Sequence, residues 1–537
     1  MAIAARSDDK LQAAATALRQ ETGAQILPVV CDVAKADDLT RLVAEVEQAW
    51  GGVDVLLNNA GGSARMPTQE ITDEVWQRDI LPTLVDYVRI PCVSVQFDPD
   101  WKANGHLDQA VSLMRSWCEA REITGLVVEV HELPGRTPLI LCEVPAFRPD
   151  GQTAPTGDTV MLYGHCDKQP EMTGWRDDLG PWKPVVEGER LYGRGGADDG
   201  YAVFAALTAI ETAQREGLPH ARCIVVIEAS EESGSPDLPV YIEALADRIG
   251  SVSLVVCLDS GCLDGRRLWV TTSLRGLAGG VLRVDVLREG VHSGEASGVV
   301  PSTFRIVRQL LDRVEDAETG RVLLPHLYVD VPADRRSQIE QTASEFHIGE
   351  HFPWVHDDVQ PMETDPVEQL LAQTWRPAVS YTGVHGMPDV GRAGNVLRPH
   401  TSFKISVRLP PTCDPDMALG ELTSALTNDP PYGAKVEFLD AHSGPGWNAP
   451  EFAPWLEAAL TDASLAVFGD DYRAFGEGGS IPFMGMLGER FPAAQFVVTG
   501  ALGPGSNAHG PNEFLDMATA RRVTACITHL LHSHATR

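Results

Sequence analysis

Five short segments of this 537-residue chain carry carboxylates and imidazoles in patterns that can hold a cation. His165 and Asp167 form an H-x-D pair behind an apolar run. Residues i and i+2 of an extended chain point to one face, so Asp167 can accept a hydrogen bond from the His165 ring and fix its tautomer for a metal. Asp198 and Asp199 follow the glycine-rich stretch from Gly193 and precede an alanine-rich segment. Glycines let the backbone approach a ligand closely, and the two acids offer a carboxylate able to bridge two cations; an acidic helix cap is the competing reading. Glu231 and Glu232 are adjacent carboxylates, which repel each other in a cleft unless cations compensate them. Their side chains diverge, so one can hold a metal while the other takes a proton from an activated water; a solvated acidic loop is the alternative. Asp259 follows a third apolar run, and His509 lies in the polar, glycine-rich loop Pro504–Glu513. Two histidines and three carboxylates suit paired divalent zinc, manganese or cobalt.

Three of these segments sit directly behind apolar strands expected at Val160–Tyr163, Cys223–Glu228 and Leu254–Leu258. Ligands of open α/β sheets bind beyond the carboxyl ends of the strands, so the three clusters should converge in one crevice. Helices are expected at Val111–Ala120 and Gly200–Arg215, strands at Leu126–Glu132 and Leu139–Glu143, and a polar hairpin loop at Asp150–Gly157. From about Leu274 the pattern changes. Ala278–Leu287 and Thr401–Arg408 alternate as strands, Pro301–Val314 and Pro415–Thr427 read as helices, and Arg321–Trp375 reads as an irregular insertion. Beyond about Pro450 helix–strand alternation returns and ends in a helix near Ala518–His532. The expected architecture is an α/β catalytic domain in two parts, 82–273 and 441–537, interrupted by an α+β lid at 274–440 and preceded by a separate segment at 1–81.

The net charge, 43 basic minus 75 acidic residues or −32, repels phosphate backbones and argues against a nucleic-acid partner. No run of about 18 apolar residues suggests a membrane span. Met1–Lys10 has no basic stretch followed by a long apolar core, as a secretory signal would. Ten cysteines without a C-x-x-C pair fit a reducing cytoplasm better than a disulfide scaffold.

Residues from about 82 to the end resemble the co-catalytic zinc peptidases that include carnosinases, bacterial dipeptidases, aminoacylase and succinyl-diaminopimelate desuccinylase. The segments that carry the resemblance are YGHCDKQP, LYGRGGADDG, EASEESGS, CLDSG, VHSG, GNVLRP, SVRLPP, EGGSIP and SNAHGPNE, in matching order and spacing. The resemblance implies a mixed catalytic sheet between helices and an inserted ferredoxin-like lid and dimerisation domain. It implies two metals, most readily zinc: His165 and Asp259 on one, Glu232 and His509 on the other, Asp198 bridging, with a cis peptide after it. Glu231 would be the general base and then the acid for the leaving amine, with Asp167 orienting His165. His292 would reach a partner's site in a homodimer and stabilise the oxyanion. Arg408 would clamp the substrate carboxylate, with Asn395, His442 and Ser480 near the substrate. Asp rather than Glu at 259 resembles the dipeptidase branch, which favours dipeptides or short peptides with a free carboxylate over N-acyl amino acids. The Lys usual after the bridging pair is missing; Gly200 and Tyr201 stand there.

Residues 1 to about 80 resemble a truncated short-chain dehydrogenase, a partial doubly wound unit with strands at Ala2–Ala5, Ile26–Val30 and Val53–Leu57 and helices from Ser7 to about Gln20 and at Asp37–Trp50. AIAAR, CDV and NNAGG carry that resemblance. The glycine-rich phosphate loop and the Tyr-x-x-x-Lys set are absent, so nucleotide binding, and with it an NAD(P)-dependent oxidoreductase, is a distant alternative to the hydrolase.

Overall fold

The computed structural model describes residues 2–5, 8–31, 36–51, 68–149, 158–356 and 358–537. They form two compact units, Met1–Met66 and Pro67–Arg537. In the first, Ala2–Ala5 pairs in parallel with Leu27–Val30, Ala2 opposite Leu27 and Ala5 opposite Val30. Helices Asp8–Thr22 and Ala36–Trp50 accompany this pair, with Leu11, Ala15, Val29 and Val46 buried. The expected strand at Val53–Leu57, the Asn58–Gly62 loop and the hairpin loop at Asp150–Gly157 lie outside the described residues.

The second unit is built on a nine-stranded sheet: β1 (Val127–His131), β2 (Leu139–Val144), β3 (Thr159–His165), β4 (Arg222–Glu228), β5 (Val252–Cys257), β6 (Trp269–Leu274), β7 (Trp447–Asn448), β8 (Arg473–Glu477) and β9 (Gln495–Val498). The order is β7-β6-β9-β5-β3-β4-β2-β1, with β8 also on β6. At its centre β9, β5, β3 and β4 run parallel. These strands are nearly continuous apolar runs because both faces are covered. Val160 and Leu162 of β3 face a layer holding helices Ala202–Arg215 and Met517–Thr536, whereas Met161 and Tyr163 face helices Leu238–Ala244 and Pro482–Arg490. The packing of this unit begins well before residue 82: Trp76 and Ile80 are buried in the first of these cores.

The chain leaves β6 into a four-stranded antiparallel sheet ordered Ala378–His385, His400–Leu409, Gly276–Asp285, Lys435–Gly444. Helices Thr303–Leu311 and Pro415–Thr427 cover one face over Leu282, Ile306, Val307, Ile405 and Leu422. The succession strand–helix–strand–strand–helix–strand is the ferredoxin-like arrangement.

Arg321–Trp375 departs from its expected irregularity. It holds helices Ala333–Glu345 and Pro366–Thr374. The first is so polar that its apolar stripe is reduced to Ile339 and Ala343, with Arg335 and Thr342 also buried, which explains why no helical period shows in the sequence. It binds the catalytic sheet: Arg335 Nη2 donates to Ala449 O at 2.6 Å, and Thr342 Oγ1 donates to Ala474 O at 3.3 Å.

Candidate metal centre

The parallel strands deliver the site at their carboxyl ends, where a chain leaving the sheet can turn its side chains into one crevice. His165 ends β3, Glu231 and Glu232 follow β4 in a short turn, and Asp259 follows β5. Asp198 sits just before helix Ala202–Arg215, and the Asp198–Asp199 peptide is cis. His509, at φ +64°, comes from the loop ahead of strand Phe514–Asp516.

The two oxygens of Asp198 divide between the histidines. Oδ1 is 3.3 Å from His165 Nε2 and Oδ2 is 3.0 Å from His509 Nε2. Asp259 Oδ2 is 3.8 Å from His165 Nε2, and Glu232 Oε2 is 3.2 Å from His509 Nε2. The donor atoms of His165, Asp198 and Asp259 lie within 4.8 Å of one another, as do those of Asp198, Glu232 and His509. Glu231 Oε2 stands 4.0 Å from His165 Nε2. The structure thus gathers all five residues expected to hold metal, in two groups sharing Asp198, with Glu231 beside them.

Asp167 makes more bonds than the one the H-x-D spacing suggests. Its backbone oxygen is 3.1 Å from His165 Nδ1 and its carboxylate 3.4 Å. The carboxylate also accepts from the backbone N–H groups of Glu231 and Glu232, both at 3.1 Å. One buried acid therefore orients the His165 ring and pins the Glu pair. Gly200 has a steric reason: a Cβ there would lie 2.1 Å from Tyr87 Cε1 and 2.6 Å from Gly195 O, so the ring of Tyr87 takes the space of a side chain after the bridging pair.

The cluster carries more negative charge than its two imidazoles balance. Burial, reinforced by Asp259, pushes the Glu231 carboxyl well above the usual carboxylate range. Burial lifts Asp259 to about 8 against the pull of His165. Burial would lower His509, yet Asp198 and Glu232 raise it to about 11. Protonation is one way to relieve this repulsion, and divalent cations are the other. The nitrogen and carboxylate donors fit such ions.

Several supporting residues escaped the sequence reading although they lie inside its motifs. Arg194 and Glu513 form a fully buried ion pair. Arg194 Nη2 also donates to the carbonyls of His509 and Gly510, both at 2.9 Å, and Gly195 N–H donates to Glu513 at 2.8 Å. That pair holds the His509 loop against the Asp198 turn. Half-buried Glu477 accepts from Gly261 N–H at 2.8 Å and from Ser260 Oγ at 3.2 Å, bracing the turn after Asp259. A charged residue next to or between glycines, or within the His509 loop, was the available signal.

The expected substrate residues divide. Arg408 Nη1 donates to Ser480 Oγ at 3.1 Å, so strand His400–Leu409 and the loop after β8 meet there. His292 and Asn395 are neighbours on the ribbon formed by Val291–His292 and Val396–Leu397, where Ser293 N–H donates to Asn395 O at 2.9 Å. His292 is exposed and its Nδ1 accepts from Gly294 N–H at 3.1 Å. His442 is exposed on strand Lys435–Gly444, its Nδ1 2.9 Å from Asp440 O. No ion pair joins His292 or His442 to the cluster among the described residues.

A mixed sheet presents at its strand ends two groups of side chains that could hold metal ions and that share Asp198. The chain belongs to peptidase family M20/M25/M40, whose profile matches residues 161–533. A short chain dehydrogenase profile matches residues 1–86. Among curated proteins the chain is similar to a cysteinylglycine-S-conjugate dipeptidase of Corynebacterium striatum, 29% identical over 70% of this chain and 81% of that protein. It is 27% identical to the human Beta-Ala-His dipeptidase over 66% of this chain and 71% of that one. The crystal structure of human carnosine dipeptidase 1 shares the fold at a TM-score of 0.68 and 21% identity, covering 88% of this chain and 100% of that one. So does a metallo-carboxypeptidase from Sulfolobus solfataricus, at a TM-score of 0.70 and 19% identity, covering 86% and 100%.

Proposed function

We propose that the protein hydrolyses the amide bond of dipeptides or short peptides that end in a free carboxylate, using two divalent metal ions, of which zinc suits the donor set best and manganese or cobalt are the alternatives. The observation that carries this reading is the division of Asp198 between His165 and His509, with Glu231 4.0 Å from His165. His165 and Asp259 would hold one ion and Glu232 and His509 the other, with Asp198 on both. When bound, such ions polarise a carbonyl and acidify water. Glu231 takes the proton of the attacking water as its oxygen bonds to the carbonyl carbon, then delivers that proton to the nitrogen as the C–N bond breaks. A raised carboxyl pKa suits this double role. Arg408, with Ser480 beside it, holds the substrate carboxylate, and Asn395 and His442 complete the surroundings of the substrate.

A second copy of the chain supplies His292. Its Nδ1 accepts a hydrogen bond, which leaves the proton on Nε2, the form that donates to a developing oxyanion. Nine buried cysteines, from Cys92 to Cys526, stand outside any disulfide and support a cytoplasmic setting. No helix among the described residues is long and apolar enough to cross a membrane. The test is metal analysis of the purified protein with a panel of dipeptides, β-alanyl peptides and N-acyl amino acids. Bound divalent metal and preferential dipeptide cleavage are expected; protein without metal, or cleavage of acyl amino acids alone, overturns the reading.

A further inference from the structure

Arg275 occupies the single position between β6 and strand Gly276–Asp285, where the chain passes from the catalytic sheet into the lid. Its backbone N–H donates to Gly479 O at 3.0 Å and its Nε donates to Gly478 O at 2.9 Å. Its carbonyl accepts from Ser480 Oγ, the same hydroxyl that receives Arg408 Nη1 at 3.1 Å. Two guanidiniums therefore gather around Gly478, Gly479 and Ser480. Glycine at 478 makes room for one of them, since a Cβ there would lie 3.1 Å from Arg275 Nη2.

Neither guanidinium has a carboxylate within ion-pair distance among the described residues. Burial and the neighbouring Arg408 charge push Arg275 down to about 10, and burial lowers Arg408. Four other arginines withdrawn from solvent do have an acid: Arg194 with Glu513, Arg267 with Glu345, Arg335 with Asp334 and Arg121 with Asp79. A chain of net charge −32 does not lack acids to pair with. Two like charges that share a half-buried place repel each other and give up hydration, and an anion from outside relieves both penalties. One carboxylate balances one of the two charges; a second carboxylate balances the other.

We propose that Arg275 is a specificity-determining residue that forms, with Arg408 and Ser480, a two-guanidinium pocket favouring dipeptides whose C-terminal residue carries a side-chain carboxylate. This rests on Arg408 as the clamp for the substrate carboxylate. The acidic surface as a whole repels a substrate of net negative charge such as Ala-Glu, so a preference for it isolates the local pocket.

The test compares kcat/KM of the metal-loaded, full-length protein for Ala-Glu and for its neutral isostere Ala-Gln. A charge-assisted hydrogen bond predicts a Glu/Gln ratio of roughly tenfold or more. R275Q should collapse that ratio to about one or below, and R275K, which keeps the charge, should hold it above one. A wild-type ratio at or below one, or an R275Q ratio equal to that of wild type, overturns the proposal. Should R275Q fail to fold, the wild-type ratio and R275K still decide. Cleavage of Ala-Gln without a preference for Ala-Glu sinks this proposal alone, whereas cleavage of neither peptide sinks the dipeptidase reading with it.

Discussion

At the scale of single residues the centre is an arrangement of charge that cations complete. Asp198 meets a histidine with each oxygen, and Asp167 spends its carboxylate on the amides of Glu231 and Glu232. Glu231→Gln keeps the shape and removes the base. It is expected to retain bound metal and to lower kcat on a dipeptide by about 10³-fold, in the range general acid–base catalysis contributes; metal content and initial rates check both. Arg408→Met removes the forked donor. It should raise KM about tenfold for a free dipeptide and abolish the advantage over the same dipeptide with an amidated C-terminus. Steady-state kinetics on the two peptides reads this out. The clustering of these acids and histidines was legible because metal chemistry restricts residue types tightly. The amide bonds of Asp167 were not, because they depend on how the turn after β4 folds back over the end of β3.

At the scale of elements, turns and loops carry most of the residues expected to hold metal, and buried pairs hold those loops. The Arg194–Glu513 pair ties the His509 loop to the Asp198 turn. Glu513→Gln leaves a buried guanidinium without its partner, which costs about 3–5 kcal/mol. Denaturant unfolding of the metal-free protein should show that loss, and metal affinity should fall by about 10–100-fold as His509 is released. The C-terminal helix carries a pH-sensitive contact. His534 Nε2 lies 2.8 Å from Ser253 Oγ and 3.6 Å from Asp158, with Arg537 2.7 Å from Asp158. Burial, helped by Arg537 and opposed by Asp158, lowers His534 to about 4. A histidine with a depressed folded pKa favours folding above its unfolded value of about 6.5, and that stability is lost as pH falls towards 4. Thermal melts between pH 7 and 4 should therefore decline more steeply for wild type than for His534→Gln; equal slopes would contradict this. Strands such as β3 to β5 were legible as apolar runs, and helix Pro415–Thr427 matches its expected bounds. Helix Ala333–Glu345 was hidden because its contacts with the sheet are polar.

At the scale of the whole molecule, one chain holds two compact units, and the cluster lies entirely within Pro67–Arg537. The dehydrogenase-like match runs to residue 86, while Trp76 and Ile80 already belong to the hydrolase core. A resemblance follows local residue patterns and a fold follows burial, so a boundary drawn from motifs near 81 and a change of packing at 66 need not coincide. The ferredoxin-like topology of the lid needed the pairing of Ala378–His385 and Lys435–Gly444, strands whose mostly exposed residues lack a clear apolar period. The claim that joins all three scales is that paired metal ions on this cluster drive dipeptide hydrolysis. Its most direct measurement is titration of chelator-stripped protein with zinc while the hydrolysis of one dipeptide is followed. No hydrolysis before addition and recovery that saturates near two equivalents per chain is the expected result. Full activity in the stripped protein, or none at any metal loading, would contradict the account.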